Sequence, residues 1–458
     1  MNCWTMKSPL LNQIEQGSKI RFSNSKIGNR VDDILFGIYD TILPILLALA
    51  KLASLFNPKL RRTLIGKKHG YKGWHFSEQD DTPVILIHVA SAGEFEGARP
   101  LIDRLLTTGK VRIAVSFSSP SAEKPVSETE GVYAYGFLPH DFLIDQLRLL
   151  DFLDPELVLI FKHDFWPNFL RGSFMLGKPV GLVNANFHRN SRRKMSIVKR
   201  FHKAFMQYLN FIWTVSEADT HRIRSLVSPN TELKVGGDTR YDRVLMRAEE
   251  GKRNFKKLSE AFDGDRVVVA GSTWEPDEKI IFQAFAKLRK IHPNIRLIVA
   301  PHEPESEALH RIKSMVDQYG LRSRLYSEFD DAQIDEEVFI IDHTRILAGL
   351  YAVGWVSYVG GGFGVGVHSV IEPAACALPV MFGPNHHVSH EAGLLIEAKG
   401  GVEVLDADMI FTIWNSWIKD ANAYKVASEA SLGVVTSNAG AVERLLIKVD
   451  SHLNVKLT

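Results

Sequence analysis

Only two cysteines, Cys3 and Cys376, occur in 458 residues. They are too few and too far apart for a disulfide framework or a cysteine metal site. Net charge is nearly absent as well: 55 Lys and Arg face 53 Asp and Glu. The molecule as a whole is therefore no polyelectrolyte, and any anion-binding surface must be local. Aromatic residues are not interleaved with the cation runs, which argues against nucleic acid as a partner. No short internal repeat is visible, and no loop expected at the cleft carries an Asp-x-Asp metal motif. Long apolar runs are missing too. The run Ile42 to Ala50 falls far below the ~20 residues that span a bilayer.

Residues 1–33 are polar and aperiodic, without the apolar core of a signal peptide, and read as a flexible extension. Residues 34–72 combine a short apolar helix, Ile34 to Phe56, with the cations Lys59, Arg61, Arg62, Lys67, Lys68 and Lys72. A short apolar helix followed by cations suits a helix lying at an anionic leaflet. A helix packed on its own domain and a true span are the alternatives.

From Thr82 the texture changes to continuous apolar strands alternating with amphipathic helices, the pattern of a parallel sheet covered on both faces. Strands are expected at Pro83 to Ser91, Val111 to Ser119, Pro155 to Phe161, Lys178 to Ala185 and Asn210 to Ser216. This gives a Rossmann-like domain over 73–251. Residues 252–265 carry no strand signal and read as a linker. The pattern then restarts at Arg266 to Ser272 and Ile295 to Pro301, giving a second Rossmann-like domain over 266–458, whose last helices are expected to pack back. The fold class is α/β, two Rossmann-like domains facing a cleft, the GT-B arrangement or a similar two-domain enzyme.

Parallel α/β sheets bind ligands beyond the carboxyl ends of their strands, so the loops after each strand carry the information. Glu94 falls in the first turn of a helix. It can complement the helix dipole or act as a general base for a hydroxyl nucleophile. Lys162, His163 and Asp164 directly follow a buried strand, an expensive place for charge unless it meets a ligand or each other. Asp164 could orient a substrate hydroxyl, and Lys162 could meet an anion. Between Asn186 and Lys203 stand Arg189, Arg192, Arg193, Lys194, Lys199, Arg200 and Lys203 without an acid, which suggests a phosphorylated substrate.

In the second half, Gly271-Ser272-Thr273 reads as a turn that could donate to phosphate, and Pro301-His302 could hold a base or ribose. The stretch from Tyr358 to Glu391 reads as strand, glycine turn (Gly360 to Gly362) and helix, an arrangement suited to an anion. Ser369 to Glu372 matches a capping box; Glu372 could equally bond ribose hydroxyls. These residues leave open an enzyme using some other nucleotide sugar, such as a UDP-hexose, or a non-catalytic nucleotide-sugar binder.

Taken together, HVASAGEFEGARPL, DFWPN, VGLVNANF, SEAD (Ser216 to Asp219), GGDTRYD, AGSTWEPDE, APHEPE and GGGFGVGVHSVIEPAACALPVMFGPN resemble the 3-deoxy-D-manno-octulosonic acid (Kdo) transferases of lipopolysaccharide synthesis. Any one motif is weak; eight in the family's order are specific, and the likeness runs from about residue 34 onward. It implies an inverting transferase without metal or other cofactor. The donor would be CMP-Kdo and the acceptor a phosphorylated lipid A precursor (lipid IVA), at the cytoplasmic face of the inner membrane.

The resemblance makes Glu94 the base, with Asp164 (usually Glu) and Arg240 (usually Lys) as transition-state stabilisers. It assigns CMP to Ser272, Pro301, His302, Thr344, Arg345, Ile346, Leu347, Gly361, Gly362, Ser369, Val370, Ile371 and Glu372. The acceptor would meet Ser91, Gly93, Lys162, Arg189, Arg192 and Arg193. This chain departs from the family's pattern at Asp164, Arg240, Ser369 and Arg345-Ile346.

Overall fold

The computed structural model of the chain describes residues 30–457, apart from 78–79, 163, 188–195, 331–333 and 454–455. The described residues form two compact units, one up to Arg240 that resumes at Gly440, the other from Tyr241 to Ala439.

The first unit is built on eight strands: β1 (His75–Phe76), β2 (Val84–Val89), β3 (Arg112–Phe117), β4 (Val132–Phe137), β5 (Leu157–Phe161), β6 (Val180–Ala185), β7 (Phe211–Thr214) and β8 (Glu232–Val235). They lie in the order β1-β4-β3-β2-β5-β6-β7-β8. All pairs are parallel except β1 with β4 at the edge. Side chains alternate across a strand, so β2 sends Val84 and Leu86 into one core and Ile85, Ile87 and Val89 into the other. Both faces are covered, which is why the strands read as unbroken apolar runs. The order reverses between β2 and β5, and the crevice at the carboxyl ends of such a pair is where open α/β sheets bind ligands.

The second unit repeats the plan with β9 (Arg266–Thr273), β10 (Ile295–Pro301), β11 (Ser323–Leu325), β12 (Val338–Ile340), β13 (Val356–Val359), β14 (Val380–Phe382) and β15 (Gly401–Glu403). The order is β11-β12-β10-β9-β13-β14-β15, parallel throughout. Here the switch falls between β9 and β13.

The division differs from the sequence reading at two places. Residues 252–265 are not an open linker: helix Thr239–Asn254 runs into them and Lys256–Ala261 is a further helix. Leu258 and Ala261 are buried in an apolar cluster of the second unit, so polar composition concealed an amphipathic segment. At the other end, helix Ala441–Asp450 belongs to the first unit, where Val442, Leu445, Leu446 and Val449 complete one core. Helices Ala407–Lys419 and Ala421–Asn438 stay with the second.

The N-terminal apolar segment is helix α1 (Arg30–Ala53). Over Val31–Ala53 it is long and apolar enough to cross a membrane, although Asp40 and Pro44 lie within it. One stripe is committed to the first unit. Phe36 and Leu43 are buried, Tyr39 donates to Asp141 at 2.9 Å, and Asp40 accepts from Asn168 Nδ2 at 2.7 Å. The opposite stripe exposes Ile34, Ile38, Ile42, Ile45, Leu46, Leu49 and Leu52, and Leu55 and Phe56 beyond it are more exposed still.

Of the six cations expected to form a surface cluster, five are exposed. The sixth, Lys67, in helix α2 (Pro58–Lys68), is buried with its Nζ 3.8 Å from the centroid of the Trp166 ring. Its place among the surface cations is thereby corrected: it faces the interior.

Candidate active site

At the switch of the first unit, neighbouring strands bring together residues far apart in sequence, His88 and Asp164 among them, 76 positions apart. Glu94 lies in the first turn of helix α3 (Ala92–Thr108), directly after β2. Its Oε2 accepts from the Ala90 N–H at 2.6 Å. Burial raises its carboxyl above the ordinary glutamate range, and the Ala90 bond and the nearby Lys162 charge only partly oppose this. A raised carboxylate is a better proton acceptor near neutral pH. The helix is led in by Ser91, whose side chain makes no capping bond. A Cβ on Gly93 would meet nothing within 4 Å, so the surface there is open.

Asp164 follows β5. A single oxygen, Oδ2, accepts three bonds: from Ser118 Oγ at 2.6 Å, His88 Nε2 at 3.0 Å and Trp166 Nε1 at 3.1 Å. Burial by itself would push this carboxyl up, but the three donors outweigh it and hold it well below the carboxylate range. No hydrogen bond to the other oxygen, Oδ1, occurs among the described residues. Lys162 adopts a left-handed backbone (φ 60°), and its N–H donates to Val183 O at 2.8 Å. The chain thus turns sharply off β5, a local strain of the kind found at functional sites.

Arg240 is held by Asp238. Its Nε and Nη2 lie 2.8 and 2.7 Å from Oδ2, and its N–H donates to Oδ1. Asn184, with φ 51°, donates from Nδ2 to Thr239 Oγ1 at 2.5 Å, and Thr239 Oγ1 donates to Gly97 O. Three of the sequence motifs are therefore tied to one another by side-chain bonds. SEAD is structural: Ser216 caps its helix, and Asp219 accepts from the Phe187 N–H at 2.7 Å. Arg189, Arg192, Arg193 and His163 lie outside the described residues. Lys199, Arg200 and Lys203, at the end of the same cation run, are exposed.

In the second unit the switch brings together the ends of β9, β10 and β13. Ser272 has φ 52°. Gly360 lies so close that a Cβ there would come within 2.3 Å of Ser272 O, and one on Gly362 within 2.5 Å of Gly383 N. Gly361, at φ 90°, donates its N–H to Asp277 at 2.9 Å, and Asp277 also accepts from Trp274 N–H and Tyr358 O–H. These glycines let chain pack against chain, and the Gly361 N–H is already used. The expected anion cradle is corrected to this extent.

The capping box is corrected too. Helix Ile371–Ala375 starts after Val370, and no side chain caps it. Glu372 instead lies 3.5 Å from Arg247. The N–H groups of Ser369 and Val370 take no hydrogen bond among the described residues.

His302, just past Pro301, stacks on both Trp274 and His368, with ring centroids 4.9 and 4.4 Å from its own. Trp274 Nε1 donates to His368 Nε2 at 3.1 Å. Thr344 and Arg345 are exposed, the latter at φ 69°. Ile346 caps a short helix whose Leu347 reaches the Cα side of Gly271. Sequence reasoning did not single out His88, Ser116, Ser118, Asp238, Trp274, Asp277 or His368, and it read Lys67 only as a surface cation. A signal existed for two of them: His88 and Ser116 are polar residues at paired positions in otherwise apolar strands.

Comparison with known proteins adds a family. A family model described as 3-Deoxy-D-manno-octulosonic-acid transferase (kdotransferase) matches residues 65–243. The 3-deoxy-D-manno-octulosonic acid transferase of Haemophilus influenzae is 25% identical over 418 residues, covering 90% of this chain and 96% of that protein. The protein of the same description from Rickettsia typhi is 24% identical over 374 residues, 79% of this chain and 78% of its own. Among solved structures, the UDP-GlcNAc 2-epimerase of Neisseria meningitidis superposes with a TM-score of 0.57 at 16% identity, covering 80% of this chain and all of that one. That likeness concerns the fold, which is GT-B.

Proposed function

The chain belongs to the 3-deoxy-D-manno-octulosonic acid (Kdo) transferase family, and from that premise we propose that it transfers Kdo from CMP-Kdo to the phosphorylated lipid A precursor lipid IVA. The reaction is an inverting displacement. Glu94 takes the proton of a glucosamine hydroxyl as that oxygen bonds to the anomeric carbon of Kdo, and the bond to CMP breaks with its electrons leaving on the phosphate. Asp164 supports the positive charge that develops on the sugar, and Arg240 meets the charge of the departing phosphate.

One observation carries this reading. A raised Glu94 and a firmly ionised Asp164 stand together at the switch point of the first sheet. Two carboxyls driven apart in this way are the usual mark of divided acid–base and electrostatic roles. For the donor, the stacked His302 with Trp274 and His368 offers a flat surface for a base. Ser272, Gly362, Thr344 to Leu347 and the free N–H groups of Ser369 and Val370 supply contacts for phosphate, and Glu372 for ribose hydroxyls. Ser91, Gly93, Lys162, Arg189, Arg192 and Arg193 are assigned to the phosphorylated acceptor. Saturation binding tests the donor: CMP is expected to bind at least ~10-fold tighter than UDP, about 1.4 kcal/mol. Equal or reversed affinities count against CMP-Kdo.

The exposed stripe of α1, with Leu55 and Phe56 and the exposed cations of α2, is assigned to the inner-membrane surface at its cytoplasmic face. Apolar area and cations each add to such binding, roughly 1 kcal/mol per Lys or Arg near an anionic surface. Replacing Ile45, Leu49 and Leu52 together with serine is expected to abolish sedimentation with anionic vesicles without altering the circular dichroism. Undiminished sedimentation would place the membrane contact elsewhere.

A further inference from the structure

Asp164 has two unequal oxygens. Oδ2 is filled by three donors, whereas Oδ1 has none among the described residues. His88 is fully buried in β2, and its other nitrogen, Nδ1, lies 2.9 Å from Ser116 Oγ on the neighbouring strand. A carboxylate only accepts, so Nε2 carries the proton toward Asp164. The Ser116 hydroxyl then satisfies Nδ1, which fixes both the tautomer and the ring plane. On the other side, Trp166 donates to the same oxygen while its ring face carries the buried Lys67 ammonium. Lys67 Nζ has no hydrogen-bond partner among the described residues.

We propose that His88 is a positioning residue: locked by Ser116, it clamps Asp164 so that Oδ1 alone is presented to the reacting sugar. This deepens the reading given above and rests on Asp164 belonging to the site. His88 acts through Asp164 and touches no substrate. Losing its bond would free the carboxylate to rotate and would ease its protonation, since a charged hydrogen bond favours the ionised form. The titratable groups around Asp164 are Glu94 from α3, Lys162 from its own loop, Lys67 from α2 and His88.

The test compares His88→Gln with His88→Asn. Glutamine carries an amide N–H close to the place of Nε2 and keeps the bond to Asp164. Asparagine carries one close to Nδ1, keeping a partner for Ser116 but losing Asp164. His88→Asn is expected to lower kcat about 10–100-fold, the usual range for one hydrogen bond to a charged group, with KM for CMP-Kdo little changed. Below the acid limb set by Glu94, the activity of this variant should fall more steeply than that of wild type, because Asp164 then takes a proton at higher pH than before. His88→Gln should stay within about 5-fold of wild type, with its acid limb near the original place.

A purely structural His88 predicts the opposite ranking, or two variants alike in kcat and pH profile, and either result overturns the proposal. Asp164→Asn separates this from the underlying reading. If that variant keeps wild-type activity, Asp164 does not belong to the site. If it is inactive while His88→Asn behaves as wild type, only the clamp is wrong.

Discussion

Glu94→Gln is expected to lower kcat for Kdo transfer by ~10²–10⁴-fold, the range that a positioned general base contributes, with little change in CMP affinity. Glutamine keeps an oxygen for the Ala90 N–H, now at 2.6 Å from Oε2, so the start of α3 should survive. The variant then reports on proton transfer and not on folding. The pH dependence has a fixed sign. A base works only when deprotonated, and burial raises Glu94 above the ordinary range. Activity should therefore fall as pH drops through that raised value, and the acid limb belonging to Glu94 should vanish in the variant. Near-normal transfer by a folded Glu94→Gln protein would assign the base elsewhere.

The second large effect concerns stability. Burial lowers the Lys67 amine to about 8, against a partial opposing pull from Asp164 and Asp141. An unfolded chain binds that proton up to about pH 10.4. Between the two values the unfolded state holds more protons, so stability rises with pH there, and below about 8 the whole penalty is present. At 1.36 kcal/mol per pKa unit this amounts to about 3 kcal/mol at pH 7.

Methionine is of similar length and needs no solvation, so Lys67→Met should stabilise the protein by about 2–3 kcal/mol at pH 7. The gain should shrink toward zero near pH 10.5. Urea denaturation at both pH values measures it. A variant no more stable than wild type at pH 7 would mean that the Trp166 ring and the two carboxylates compensate the buried charge in full. A stabilised variant with reduced kcat would show a charge kept for the site at the expense of stability.

The strands and their parallel order were readable because burial on both faces leaves unbroken apolar runs. Val84–Val89 and Leu157–Phe161 fall inside the stretches expected from sequence alone. Glu94 and Asp164 were readable for a related reason: a charge directly after such a strand stands out. The clamp around Asp164 was much less so. His88, Ser116, Ser118 and Trp166 come from β2, β3, the loop after β3 and the loop after β5, and only strand register brings them together.

Helix boundaries misled where composition was used as a proxy for burial. Residues 252–265 looked like a linker because their polar residues outnumber the few apolar ones that are buried. Lys67 looked like a surface cation because sequence does not say which residue of α2 faces inward. The glycine turn misled differently. Its density suggested open room for an anion, whereas Gly360 and Gly362 pack backbone closely against backbone and Asp277 already takes the Gly361 N–H, so fewer of its N–H groups are left for a ligand.

The central claim is most directly tested by mass spectrometry of the lipid recovered from a reaction of purified protein, CMP-Kdo and the bis-phosphorylated lipid A precursor. Lipid enlarged by Kdo with wild type, and unchanged lipid with Glu94→Gln, is the result expected. Unchanged lipid with wild type, or enlargement by a hexose only when a UDP-hexose replaces CMP-Kdo, would contradict it.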